Sequence, residues 1–251
     1  MNKAAASTPV TPQVILLHGA GLGSWIWDAV TPNLSLPCKA LNLPGRSGAA
    51  NLSRIGLQSA IDAVASQSTA HTVIVGHSFS AAVALGVASQ YPGSVAGIVL
   101  VGGVVSESGK SFLSNLPLPM RAFLGTYIRL SRKGVKLPAS LIEAEYCNDL
   151  PATTRDNVLS NITPEVPRYY LDKLDWHLPS DIPCHYVKLL QDTSLSLPQQ
   201  DQFGSRLPGA SVETLPTGHL PMLAKPEQTA LLLNRLCNQM LDVTQSPAMA
   251  I

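Results

Sequence analysis

Six short runs of apolar residues, at positions 14–17, 38–43, 72–75, 95–101, 184–190 and 211–215, recur along the chain, and longer stretches of helical pattern separate most of them. A strand buried on both faces has no polar side to show, so it reads as a continuous apolar run and not as an alternating one. Parallel neighbours can be joined only by a long crossover, and a helix is the usual way to make it. The alternation therefore predicts the α/β class, with a mostly parallel six-stranded sheet flanked by helices. Helices are expected near residues 24–34, 52–66, 78–89 and 226–241. The last of these opens on Pro226, whose fixed φ suits a first helical turn, and on Glu227, whose charge complements the positive end of the helix dipole. Apolar residues make up 45% of the 251 and charged residues 13%, enough apolar surface to fill such a core and too little charge for a disordered chain.

One interval breaks the rhythm. From 104 to 183 no strong buried strand stands out, and Pro117, Pro119, Pro138, Pro151, Pro164, Pro167 and Pro179 cut the segment into short pieces. A plain loop of that length is uncommon in a compact domain, whereas a lid with its own helices is not. The expected organisation is a helical cap over 104–183, inserted after the fourth strand of a core built from 1–103 and 184–251.

The charge balance narrows the partners. A formal net charge of +1, with no basic run, no interleaving of basic and aromatic residues and no zinc-type Cys/His spacing singled out, gives no expectation of nucleic acid or of a metal. Cys38, Cys147, Cys184 and Cys237 lie far apart and form no CxxC pair, so they are expected as free buried thiols. The opening segment MNKAAASTPVTPQ lacks the apolar stretch of a secretory signal, and no unbroken apolar run is long enough for a membrane span. A cytoplasmic location and no membrane span are the corresponding expectations. Oligomeric state is not legible.

Chemistry concentrates in three places. In VIVGHSFSAAVAL an apolar strand runs through Gly76-His77-Ser78-Phe79-Ser80 into a helix of small residues. A serine on such a sharp strand-to-helix turn has its hydroxyl raised at the carboxyl edge of the sheet, with helical N–H groups close by. Gly76 supplies the close packing before it; Ser80 stands where glycine is usual. In VILLHGAGLGSWIW a strand ends on His18-Gly19-Ala20. The backbone amides of Ala20 and Phe79 are the candidate oxyanion donors, and losing one such donor typically costs about 2.7–4 kcal/mol. His18 is expected to pin this loop by hydrogen bonds, and the glycine-rich stretch has no P-loop lysine. Trp25 and Trp27 are expected to pack.

The third place is LPTGHLPMLAKPEQ, where His219 follows the last expected strand. A serine hydroxyl needs a base with a pKa near neutrality, and a histidine in that loop can supply it. Asp192 ends HYVKLLQD, in position to hold the imidazole and stabilise its protonated form. Glu107 and Asp201 are the rival acids, both read as solvated surface groups. Ser78, Asp192 and His219 also appear in the chain order that this arrangement expects.

These motifs together resemble the α/β-hydrolase superfamily over almost the whole chain. More narrowly, HGAGLGSWIW, ALNLPGRSG, the GHS turn, LLQDTSLSLP and GHLPML are similar to the small esterases related to plant methylesterases and hydroxynitrile lyases. The resemblance implies a six-stranded parallel core, a helical cap, no cofactor, and hydrolysis of small or aromatic esters. The lyases carry a threonine and a lysine where this chain has Gly19 and Leu220, so cyanohydrin cleavage is not implied. The expected activity is a carboxylesterase working through an acyl-enzyme on a small hydrophobic or aromatic ester. Carbon–carbon hydrolysis, cofactor-free haloperoxidation and a non-enzymatic ligand receptor stay open on the same scaffold. Phe112, Phe123, Tyr127, Leu141, Tyr146, Trp176 and Leu220 are the candidate pocket residues.

Overall fold

The computed structural model describes residues 11–46 and 52–245. Nearly all of the opening segment, and Ser47 and Gly48 of the ALNLPGRSG motif, lie outside the described residues. The strands are β1 (Gln13–Leu17), β2 (Cys38–Leu41), β3 (Thr72–His77), β4 (Gly97–Val101), β5 (Lys110–Ser111), β6 (Lys173–Leu174), β7 (Cys184–Leu189) and β8 (Ser211–Leu215). Six of them form one sheet in the order β2-β1-β3-β4-β7-β8, with every neighbouring pair parallel. Alternate side chains feed two cores. Ile15, Leu17, Ile74, Ile98 and Leu100 enter one, while Val14, Leu16, Val73, Val75, Val99 and Val101 enter the other. Burial on both faces is the reason these strands read as unbroken apolar runs.

The helices are α1 (Leu57–Ala65), α2 (Ala81–Gln90), α3 (Leu118–Leu130), α4 (Ala139–Tyr146), α5 (Ala152–Asn161), α6 (Pro167–Leu171), α7 (Leu197–Ser205), α8 (Pro221–Ala224) and α9 (Pro226–Gln245). α1 and α2 cover one face of the sheet, and α9 covers the other. The expected helix at 24–34 is instead two 3-10 turns, Ser24–Trp27 and Thr31–Asn33. Pro32 lacks an N–H and disfavours helical geometry in the residue before it, so the pattern cannot run through. Similarly, 52–66 divides into a 3-10 turn, Leu52–Arg54, and α1, because Gly56 is extended and caps the helix. The strand expected over 38–43 stops at Leu41, shortly before Pro44.

Residues 104–183 contain α3 to α6, and side chains of this segment reach loops at the carboxyl ends of the strands, Glu165 the loop after β1 and Asp149 the loop after β8. They also hold an element not expected from sequence: β5 and β6 pair antiparallel as a two-residue ribbon. Such short pairings carry no periodic signal. Among the described residues no helix is long and apolar enough to cross a membrane. The four cysteines are free, and three of them are buried.

Candidate active site

Ser78 has φ 53°, and among the described residues it is the one non-glycine residue with positive φ. An L-residue holds that conformation only when its surroundings impose it. Here β3 delivers the chain along the sheet, and a 3-10 turn, Ser78–Ser80, turns it at once into α2. The turn is tight enough to demand glycine at 76, since a Cβ there would lie 2.8 Å from the carbonyl oxygen of Ser80. Ser80 itself has φ −67°, so the missing second glycine costs nothing in backbone strain. Its hydroxyl donates to the carbonyl of His18 and ties this turn to the loop after β1.

His219 arrives from the loop after β8 and Asp192 from the loop after β7. The Ser78 hydroxyl donates to His219 Nε2 at 3.1 Å, and His219 Nδ1–H donates to Asp192 Oδ2 at 2.8 Å. The other carboxylate oxygen of Asp192 accepts the N–H groups of Ser194, at 2.8 Å, and Leu195, at 3.0 Å. All three side chains are buried, and Ser78 retains 7% exposure. The rival acids are elsewhere: Glu107 pairs with Arg206 and Asp201 with Lys188, and the side chains of both acids are well exposed.

The loop 18–21 packs directly against the serine turn. A Cβ at Gly19 would lie 2.8 Å from His77 Nδ1 and 3.1 Å from Ser78 Cβ, so only glycine permits the approach. His18 Nδ1–H donates to the Gly19 carbonyl at 2.9 Å, and Nε2 accepts the Leu43 N–H at 3.1 Å. Burial, helped by the Arg46 guanidinium, pushes its pKa down to about 3, so the ring is a neutral brace. Beside it, His77 Nε2–H donates to the His219 carbonyl at 2.8 Å, and burial holds this ring well below the usual imidazole range. Among the described residues the Ala20 N–H has no acceptor. Phe79 is the second residue of the 3-10 turn, where N–H groups have no partner within the turn.

The covering segment supplies groups that motif reasoning missed. Glu165 is buried: Oε2 accepts the Gly21 N–H at 2.8 Å, Oε1 accepts the Val166 N–H at 2.8 Å, and Arg46 pairs with the same carboxylate. The Gly21 carbonyl accepts from Thr163 N–H at 2.8 Å. Both backbone groups of the residue after Ala20 are thereby fixed from across the fold. On the opposite side, Asp149 accepts the Gly218 N–H at 2.6 Å, next to His219, and Asn148 donates to the Gln191 carbonyl at 2.8 Å, next to Asp192. Buried Gln200 braces the Asp192 loop through Leu189 and Leu195. Arg46 lies in ALNLPGRSG, but nothing in the sequence links it to Glu165, 119 positions later.

The expected pocket residues separate into three groups. Tyr146 lies against His219, with ring centroids 4.9 Å apart, and Leu220 is fully buried beside it. Phe112 joins an aromatic cluster with Phe79 and Tyr170, at 6.2 and 5.3 Å, and Trp176 donates from its indole N–H to the Ser106 carbonyl. Both line a cavity with Leu85 and Tyr169 that does not reach Ser78 or His219. The third group is a correction: Phe123, Tyr127 and Leu141 are exposed on the outside of the covering segment, because the inner sides of α3 and α4 carry Ile128 and Ile142 instead. A second small cavity, next to Ala20, is walled by Val135, Lys136, Leu137, Ile142, Ile162, Thr163, Glu165 and Tyr170, and it too has neither Ser78 nor His219 in its lining. Among the described residues no cluster of His, Cys, Asp and Glu has the geometry of a metal site.

The family model described as "Alpha/beta hydrolase family" matches residues 14–230. A pimeloyl-[acyl-carrier protein] methyl ester esterase from Aromatoleum aromaticum is 26% identical over 254 residues, covering 88% of this chain and 96% of the relative. An extracellular alpha/beta-hydrolase from a Paenibacillus species superposes with a TM-score of 0.78 at 19% identity, covering 89% of this chain and 98% of that one. A methylesterase from Arabidopsis gives 0.74 at 16% identity, covering 91% and 99%. At those identities the two structures speak for the fold.

Proposed function

This chain belongs to the alpha/beta hydrolase family, and from that premise we propose that it is a serine carboxylesterase acting on small hydrophobic or aromatic esters. The observation that carries the reading is the unbroken relay from Ser78 Oγ through His219 to Asp192, at 3.1 and 2.8 Å. Ser78 attacks the ester carbonyl as His219 Nε2 takes its proton, and Asp192 stabilises the imidazolium. The carbonyl oxygen becomes an anion held by the N–H groups of Ala20 and Phe79. Collapse of this intermediate expels the alcohol, which takes the proton from His219. Water then attacks the acyl-enzyme by the same sequence and releases the acid and Ser78.

The methyl ester esterase from Aromatoleum supports ester cleavage with a small leaving alcohol. Val135, Leu137, Ile142 and Ile162, four of the residues lining the small cavity that borders Ala20, support an apolar group near that amide. Leu220, fully buried directly after His219, provides no cation for a cyanide leaving group. A fluorophosphonate probe tests the reading: labelling confined to Ser78, together with turnover of aliphatic or aromatic esters but not of diketones, is the expected result. Turnover of diketones alone would replace ester hydrolysis with carbon–carbon cleavage.

A further inference from the structure

The end of α4 and the residues that follow it, 144–149, meet the loop of the acid and the loop of the base together. β7 and β8 are bonded side by side as far as the Gln191 N–H, which donates to the Thr217 carbonyl at 2.9 Å. Asp192 and His219 lie past that point, and among the described residues no further backbone bond joins their loops. Side chains take over there. The Thr193 hydroxyl donates to the Ala144 carbonyl at 2.9 Å, with the Glu145 carbonyl at 3.3 Å, two groups that a helix end leaves without partners of its own. Asn148 donates to the Gln191 carbonyl at 2.8 Å, and Asp149 Oδ2 accepts the Gly218 N–H at 2.6 Å. Gln191 and Thr193 flank Asp192, and Gly218 precedes His219. All three ties thus fall on immediate neighbours of the two residues that must stay in hydrogen-bond contact.

Two details go beyond what closing the segment onto the core requires. Among the described residues Gly218 is not one of the glycines with positive φ, so its backbone would accept a side chain. A Cβ there would nevertheless lie 2.5 Å from Asp149 Oδ1 and closer still to Asn148 Oδ1. Glycine is needed at 218 because residues 148 and 149 sit against it, and not because of the turn. Asp149 Oδ1 is also buried with no donor among the described residues, an arrangement that costs folding energy. That cost falls two positions from the ring-stacked Tyr146 and against the residue before His219.

We infer that residues 144–149 form a strap that fixes the separation of Asp192 and His219, with Asn148, Asp149 and Thr193 as positioning residues. The inference rests on the reading of His219 as the base. Misplacing a reacting group by about 1 Å can cost on the order of 10²-fold in rate. Play in either loop would therefore lower kcat while leaving KM nearly unchanged.

The test is a double-mutant cycle in the full chain, read as kcat on a p-nitrophenyl ester. Gly218→Ala should lower kcat by on the order of tenfold, but by less than about twofold in an Asn148→Ala/Asp149→Ala background, where the new methyl group has nothing to displace. Asp149→Ala alone should lower kcat by on the order of tenfold with KM little changed, and Asp149→Asn, which keeps an acceptor for the Gly218 N–H, should restore most of it. The His219 Nδ1 proton, followed by NMR without substrate, should shift or broaden in Asp149→Ala and keep its position in Asp149→Asn. Where Asp149→Ala yields no folded protein, Thr193→Val carries the test: a several-fold fall in kcat is expected, and a wild-type value would count against the strap. Equal losses from Gly218→Ala in both backgrounds would overturn the inference. So would wild-type kcat and NMR signal in Asp149→Ala, or an Asp149→Asn variant no better than Asp149→Ala. A wild-type protein that turns over no ester would remove the proposed reaction, and the NMR signal would then decide on the strap alone.

Discussion

The sheet edge and the segment that covers it hold their side chains in place by different means. Ser78 is placed by continuous backbone: β3 is hydrogen-bonded on both sides, to β1 and β4, and the turn into α2 leaves it a single strained conformation. The covering segment reaches the site through side chains instead, with Glu165 on Gly21, Asp149 on Gly218 and Tyr146 against His219. The sheet thus fixes which atoms can react, and the covering segment fixes the loops that carry them. The two regions should fail differently when altered, on a graded scale.

The largest effect is expected at the sheet edge. Ser78→Ala should lower kcat by on the order of a millionfold while leaving stability near wild type, measured by steady-state hydrolysis and urea unfolding. Asp192→Asn should cost on the order of 10⁴ in kcat, because an amide permits the wrong imidazole tautomer at His219. The corresponding change at Glu107, solvent-exposed beside Arg206, should do nothing comparable.

Stability against pH separates the regions further, since His18 and His77 both belong to the sheet edge. Each is held neutral when folded, His18 with a pKa pushed down to about 3 and His77 well below the ordinary value, chiefly by burial. Unfolded imidazoles bind protons below a pH of about 6.5, so stability is fully present above that value and is lost as pH falls towards the folded values. Two such groups give a slope of up to about 2.7 kcal/mol per pH unit in that window. Urea midpoints at successive pH values measure it, and His77→Gln should remove about half.

Glu165→Gln probes the covering segment. The amide keeps one acceptor oxygen where the carboxylate had two, so either the Gly21 or the Val166 N–H loses its partner, and the Arg46 guanidinium is left buried without its counter-charge, at a stability cost of about 3–5 kcal/mol. With the protein kept folded, kcat should fall on the order of tenfold with KM little changed, since the oxyanion loop is held less firmly. An unchanged kcat would make the segment a roof and nothing more. The smallest effect is expected at Phe123→Ser, within about 0.5 kcal/mol of wild-type stability and with unchanged kcat/KM on a soluble ester.

The same contrast explains how far the sequence could be read. The strands were legible because burial on both faces makes them apolar without interruption, and the serine turn because its geometry demands Gly76 and small residues in α2. Ser78, His219 and Asp192 each end or follow a strand, so the order of strands alone brings them to one edge. Glu165 had no comparable mark, for its role comes from a contact with Gly21, 144 residues away. Phe123, Tyr127 and Leu141 misled for a different reason: in helices separated by prolines an apolar residue signals burial poorly, and exposed Leu141 is directly followed by buried Ile142.

The central claim is that the Ser78 oxygen carries the acyl group during turnover. Acid quenching of a p-nitrophenyl ester reaction in its first turnovers, followed by peptide mass spectrometry, reads this directly. The account requires a burst of nitrophenol matched by an acyl mass increment on the peptide containing Ser78, absent from Ser78→Ala. Turnover without that increment, or an increment on another residue, would contradict it.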